Sequence, residues 1–135
     1  YGMPSDQNPG VAMYTKAMEI HATVIQRLPQ SLGRFSEKNN VTGLDFDHVI
    51  PHQTSERAIR SALDLCGETL GNVPHTCVVL DRFGNTSSTS HFVALDDQLK
   101  QGVIQPGQRI LMLILASGIV LGVASVKLGN LQGVH

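Results

Sequence analysis

The stretch Phe46-Asp47-His48-Val49-Ile50-Pro51-His52-Gln53 decides the fold of this chain. Phe46 to Ile50 is a short apolar run in which Phe46, His48 and Ile50 share one face of a predicted strand, and Pro51 stops it so that His52 projects from its end. Thr54 or Ser55 then caps a helix in which Ala58, Ile59, Ala62, Leu63, Cys66 and Leu70 recur at helical spacing, with Gly71-Asn72 as the stop. The unit is β-turn-α, and a histidine sits at the turn.

Downstream the pattern repeats. Cys77-Val78-Val79-Leu80 is a second β-rich run, ended by Asp81-Arg82-Phe83-Gly84-Asn85, and Thr86 or Ser87 caps a helix carrying Phe92, Leu95 and Leu99. Gly102 ends that helix and Pro106-Gly107 turns the chain. Arg109 to Leu115 and Ile119 to Lys127 then form two adjacent strands, expected to be antiparallel. Upstream, Ala17, Met18, His21, Val24, Ile25, Leu28 and Leu32 mark one face of an amphipathic helix from Val11 to about Leu32, which Pro29 ends or bends. Gly33 to Leu44 is polar and reads as a surface loop, residues 1–10 as an N-terminal loop, and residues 129–135 as a tail. Alternating strands and helices predict a layered α/β domain over residues 11–128, its helices on a mixed, mostly parallel sheet. In such a sheet ligands gather at the carboxyl ends of the parallel strands, where His52 and Asn85 both fall.

Composition narrows the function classes. A chain of 135 residues, 41% apolar, is one domain with a real core, and its net charge of -1 with no block of Lys and Arg argues against a nucleic-acid partner. Ile110 to Val126 carries no charge, but Ala116-Ser117-Gly118 interrupts it, so two buried strands are expected there and no membrane span. The first ten residues lack the pattern of a signal peptide. Cys66 and Cys77 form no disulfide framework and no C-x-x-C pair, which predicts buried thiols in a reducing cytoplasm.

His52 and Asn85 carry the chemistry. A neutral imidazole and a carboxamide delivered from two strand ends can hydrogen-bond one thioester carbonyl oxygen as negative charge develops on it, which is the requirement of enolate formation. Each alone has a plainer explanation, a packing histidine and a turn asparagine. Metal binding is not expected: His48 and His52 have i, i+4 spacing, but Pro51 and the β pattern deny them a helical face, and His48, His75, His91 and His135 show no ligand-like grouping. His21 lies on an apolar helix face and reads as core or interface.

Pro51-His52-Gln53 and, 33 positions beyond His52, Asn85 in Gly84-Asn85-Thr86-Ser87 together resemble the C-terminal half of 3-oxoacyl-ACP synthase III, a thiolase-fold acyltransferase. The resemblance runs over about residues 8 to 128. It implies that His52 and Asn85 are catalytic, that a backbone N–H at Ser117 completes the oxyanion hole, and that Gly10, Tyr14 and Ser55 line the substrate path, with Ala17 on the same pocket-lining helix. Arg57 would dock the acyl carrier protein. The reaction implied is decarboxylative condensation of an acyl thioester with a malonyl thioester, on a cysteine in the N-terminal half that this chain does not contain. Coenzyme A thioesters would be substrates, with no resident cofactor. The partners implied are acyl-CoA or acyl-ACP, the carrier protein, the N-terminal half and a second copy in a homodimer, in the cytoplasm. Each half of that family is a five-stranded layer, so this segment is expected to lack a central strand and to leave backbone groups for a partner to satisfy.

Two departures from the family pattern keep other possibilities open. Ala116-Ser117-Gly118 replaces a triple glycine, and Ser55 stands where asparagine is common. A noncatalytic partner subunit, or a relative forming esters or amides or joining two acyl chains, fits the same residues. Neither cysteine substitutes for the missing nucleophile, since neither lies at a helix start or beside a cation.

Overall fold

The computed structural model describes residues 16–116 and 119–130. Its first helix, α1, runs Ala17–Asn39 and passes through Pro29 without ending. The stripe Val24, Leu28, Leu32 and Phe35 continues on both sides of the proline and packs into one core. Burying the side chains beyond it contributes about 1.5–3 kcal/mol each, which offsets the roughly 3 kcal/mol that an interior proline costs. The expected loop from Gly33 is therefore helix as far as Asn39. Asn40 supplies the stop in a left-handed conformation, φ 51° and ψ 53°, a region asparagine tolerates better than most residues.

A 3-10 turn at Gly43–Asp45 leads into β1, His48–Pro51. A Cβ on Gly43 would stand 2.2 Å from the Asn72 carbonyl oxygen, so glycine alone permits this close approach. Phe46 precedes the strand and does not share a face with Ile50 as expected. Asp47 bends the chain by exchanging hydrogen bonds with Arg109, its N–H to the Arg109 carbonyl at 2.9 Å and its Oδ2 accepting the Arg109 N–H at 2.7 Å. Phe46 thereby joins Val49 and Phe35 on one side of the sheet, while Ile50 packs on the other.

Helix α2, Glu56–Leu70, forms as its sequence requires. The Ser55 Oγ accepts the Ala58 N–H at 3.2 Å, and Gly71 closes the helix at φ 77°. The strand expected over 77–80 is not formed: β2 is the two residues His75–Thr76 just before it, and Leu80–Phe83 is a turn of helix, α3. A 3-10 turn at Ser87–Thr89 precedes α4, Ser90–Lys100. Of the expected apolar stripe of α4, Leu95 and Leu99 pack against the core while Phe92 is 67% exposed, and His91, Ala94, Asp97 and Gln98 are buried beside them. Strands β3, Arg109–Ala116, and β4, Val120–Lys127, form the antiparallel pair that the sequence predicts.

The sheet order is β2-β1-β3-β4, with β1 parallel to both β2 and β3. The sheet has the four strands expected, but the gap expected from a missing central strand is closed: β1 pairs directly with β3 from His48↔Ile110 to Pro51↔Leu113. One core joins α1 and α2 to Val49, Leu111 and Leu113; the other joins Ala94 of α4 to Ile50, Ile110 and Met112. Alternate β3 residues thus enter opposite cores, as a strand covered on both faces must. No helix among the described residues is long and apolar enough to cross a membrane.

Candidate functional site

His52 is fixed by its backbone before its side chain is considered. Its N–H donates to the Leu113 carbonyl at 3.0 Å, prolonging the β1–β3 ladder past Pro51, and its own carbonyl accepts the Thr54 N–H at 3.0 Å to turn the chain. The half-buried ring stacks on His91 from α4, centroids 5.6 Å apart and planes 22° from parallel. The same Leu113 carbonyl lies 2.8 Å from His91 Nε2, so one oxygen holds both histidines. Burial pushes the His52 pKa below its ordinary 6.5, and the neighbouring His91 pushes it further the same way. The imidazole is therefore kept neutral.

Which nitrogen carries the proton follows from the surroundings. Nδ1 of His52 is buried with no hydrogen-bond partner among the described residues. An unpaired buried acceptor is tolerated better than an unpaired buried N–H, which favours the tautomer with the lone pair on Nδ1 and the proton on Nε2. His52 then presents an N–H donor.

Asn85 occupies a turn with two special backbone positions beside it. Gly84 adopts φ 63°, ψ -158°, a region essentially restricted to glycine, and Ser87 has φ 56°. The Asn85 Oδ1 accepts the Ser87 N–H at 2.9 Å. With its oxygen tied down, the exposed side chain offers its NH₂ as the available donor.

The two corners are joined by a residue whose role the sequence did not disclose. Gln53 is fully buried; its Nε2 donates to the Pro51 carbonyl at 2.8 Å and the Cys77 carbonyl at 3.4 Å, and its Oε1 accepts the Val79 N–H at 3.0 Å. The Val79 carbonyl in turn accepts the N–H groups of Arg82 and Phe83, from which α3 hangs with Asn85 just beyond it. Arg82 completes the bracing with a bidentate pair to Asp97 of α4, at 2.6 and 2.5 Å. The loop closes on itself, from His52 through Gln53 to Val79, Asn85, Ser87 and His91, and back to His52. The sequence alone gives His91 no role, although it lies in the first turn of the helix that follows the Asn85 turn.

The remaining expected residues fall unevenly. Ser55 is exposed and its hydroxyl is engaged as the α2 cap. Arg57 is exposed and makes no ion pair among the described residues. Gly10, Tyr14 and Ser117 lie outside the described residues, as do the expected loop over 1–10 and the alanine-serine-glycine segment beyond Ala116. Both cysteines are buried, and burial raises each thiol to about 11, so neither offers a thiolate at neutral pH. The expectation that the histidines lack any ligand-like grouping is corrected at the opposite end of β1, where His48, His75 and Cys77 converge.

A layered α/β unit with a histidine at the end of β1 and an asparagine in the turn between α3 and α4 is the class of domain that the fold and site define. Residues 36–128 match the family described as 3-oxoacyl-[acyl-carrier-protein (ACP)] synthase III C terminal, and the chain belongs to that family. It is 31% identical over 129 residues to a beta-ketoacyl-[acyl-carrier-protein] synthase III of Aliarcobacter butzleri, covering 93% of this chain and 37% of the relative. Among solved structures it resembles the synthase III of Pseudomonas aeruginosa, with TM-score 0.73 and 19% identity, over 96% of this chain and 39% of that one. The Thermus thermophilus synthase III gives TM-score 0.72 at 26% identity, over 94% of this chain and 39% of that one. These neighbours establish the thiolase-like fold. The chain spans a little over a third of the length of these relatives.

Proposed function

We propose that this chain is the C-terminal catalytic portion of a 3-oxoacyl-ACP synthase III-type acyltransferase, which condenses an acyl thioester with a malonyl thioester by decarboxylation. The acyl group is carried on a cysteine supplied by the N-terminal portion of the enzyme. The malonyl carboxylate leaves as CO₂, and its C–C electron pair passes into an enolate whose charge rests on the thioester oxygen. His52 Nε2–H and the Asn85 NH₂ bind that oxygen. The carbanionic carbon then attacks the acyl carbonyl, and the cysteine leaves as thiolate.

The observation that carries this reading is the placement of His52 at the end of β1, half-buried and stacked on His91; burial and that neighbour lower its pKa and favour the neutral ring, and the unpartnered Nδ1 favours the proton on Nε2. A neutral N–H donor stabilises a developing oxyanion without first giving its proton to the carboxylate that must depart. Removing one such donor costs about 2.7–4 kcal/mol in related chemistry, or roughly 10²–10³ in rate.

The rest of the reading follows the family. Ser117 supplies a backbone N–H to the same oxygen, Gly10, Tyr14 and Ser55 border the path of the acyl and pantetheine groups, and Arg57 meets the acidic surface of the carrier protein. Acyl-CoA or acyl-ACP is the donor, coenzyme A is a substrate and not a resident cofactor, and the enzyme works as a cytoplasmic homodimer. The test is His52→Ala in the full-length enzyme, with acyl loading and malonyl-thioester decarboxylation measured separately. Loss of decarboxylation with loading retained is expected; unchanged decarboxylation overturns the assignment.

A further inference from the structure

The amino-terminal end of the parallel strands, opposite His52, holds a second cluster of chemically capable groups. His48 opens β1, His75 opens β2 and Cys77 follows it; the pairing of His48 with His75 in the sheet sets the two imidazoles side by side. Their Nδ1 atoms are 3.2 Å apart, and the Cys77 Sγ is 4.0 Å from His48 Nδ1. One ligand-type atom from each of the three side chains lies within 4.8 Å of the others.

The direction of the lone pairs can be worked out. Gln108 Oε1 accepts the Gln105 N–H at 2.7 Å and stands 3.0 Å from His48 Nε2, so that nitrogen carries the proton and donates to Oε1. His48 Nδ1 is left as an unprotonated donor to a metal, with its ring held by an outer hydrogen bond. Histidine ligands of metals are commonly oriented through their other nitrogen in this way. Two nitrogens bound at 2.0–2.1 Å to a tetrahedral cation stand about 3.3–3.4 Å apart, which is close to the separation found between His48 and His75. A nitrogen and a thiolate sulfur on the same ion stand about 3.6 Å apart, so Cys77 need approach His48 by only a few tenths of an ångström, and the rest of the closure falls to the exposed His75 ring. His48 and Cys77 are buried while His75 is exposed, so the exposed ring can swing to admit an ion and leave the fourth position to water.

We propose that His48, His75 and Cys77 form a binding site for a zinc-type divalent cation. Nitrogen and thiolate donors select borderline ions of this kind over magnesium or calcium. On binding, the S–H bond of Cys77 breaks, the sulfur keeps the electron pair that coordinates the ion, and the proton passes to solvent. The ion clips the two-residue strand β2 to β1 at one end, as Gln53 clips the following segment at the other. The plainer arrangement is a hydrogen bond between the two Nδ1 atoms with no metal, and the two give different spectra.

The experiment is titration of the reduced, tag-free full-length protein with Co²⁺, read by its visible ligand-field bands and near-ultraviolet thiolate-to-metal charge transfer, then by displacement with Zn²⁺. The expected result is one equivalent of cobalt with the charge-transfer band, weakened roughly tenfold or more in His75→Ala and without that band in Cys77→Ser. His75 is exposed, so its variant is expected to keep the wild-type circular dichroism and separate ligand loss from unfolding. Cys66→Ser is the thiol control and is expected to retain the band. Absence of the band in the wild type, or its persistence in both His75→Ala and Cys77→Ser, overturns the site.

Discussion

The imidazole of His91 lies stacked on that of His52, ring centroids 5.6 Å apart, and both histidines hang from the carbonyl of Leu113. A second titratable ring is thus placed where it opposes protonation of the first. Burial is the larger cause of the lowered His52 pKa and His91 the smaller. The folded pKa is below the unfolded 6.5, so the associated stability is fully present above 6.5 and is lost as pH falls through the folded value. His91→Phe keeps the burial and removes the like charge. The His52 ring, followed by NMR, is expected to titrate nearer 6.5 in that variant; an unchanged or lower midpoint contradicts the role given to His91.

Gln53 is fully buried and hydrogen-bonds three backbone groups, the carbonyls of Pro51 and Cys77 and the N–H of Val79. Gln53→Leu leaves the Val79 N–H and its carbonyl partners unpaired, at about 1–3 kcal/mol for each buried group. Chemical denaturation is expected to show a lower midpoint with little change in slope. A variant within about 0.5 kcal/mol of wild type removes the clamp from the account.

Gly84→Ala tests the Asn85 turn through backbone conformation alone. A Cβ at this position meets nothing within 4 Å, so any loss comes from φ 63°, ψ -158°. The expected cost is about 1–3 kcal/mol, together with a fall in kcat as Asn85 is displaced. Wild-type stability and rate in this variant would falsify the strained-turn argument.

The pair between Arg82 and Asp97 sets an acid limit. The hydrogen bond from Arg82 holds the Asp97 carboxyl below its ordinary 3.8, with Gln98 and Gln101 adding to the effect. Its contribution is present above 3.8 and is lost as pH falls through the lowered value. Asp97→Asn is expected to flatten the acid end of the stability-pH curve, and an unaltered acid limb contradicts it.

Much of this architecture was legible in the residues, for physical reasons that differ by element. Ser55 and Gly71 bound α2 because a cap and a left-handed stop are local properties, and the β3–β4 hairpin followed from two apolar runs around a break. His52 and Asn85 were placed by neighbours in sequence. What stayed hidden depended on distant partners. Helix α1 runs on through Pro29 because Leu32 and Phe35 are buried against other elements. Residues 77–79 form no strand because Gln53 takes up the Cys77 carbonyl and Val79 N–H. His48, His75 and His91 acquire meaning only when parallel pairing and α4 bring each beside another ring.

The most direct measurement is a double-mutant cycle on malonyl-thioester decarboxylation by the full-length enzyme, using His52→Ala, Asn85→Ala and the pair. If both side chains hold the same oxygen, each single loss is expected to be about 10²–10³ in rate. The double loss should fall short of the product of the singles. A wild-type rate in either single variant, or strictly multiplicative losses, contradicts the claim that an imidazole N–H and an amide share one oxyanion.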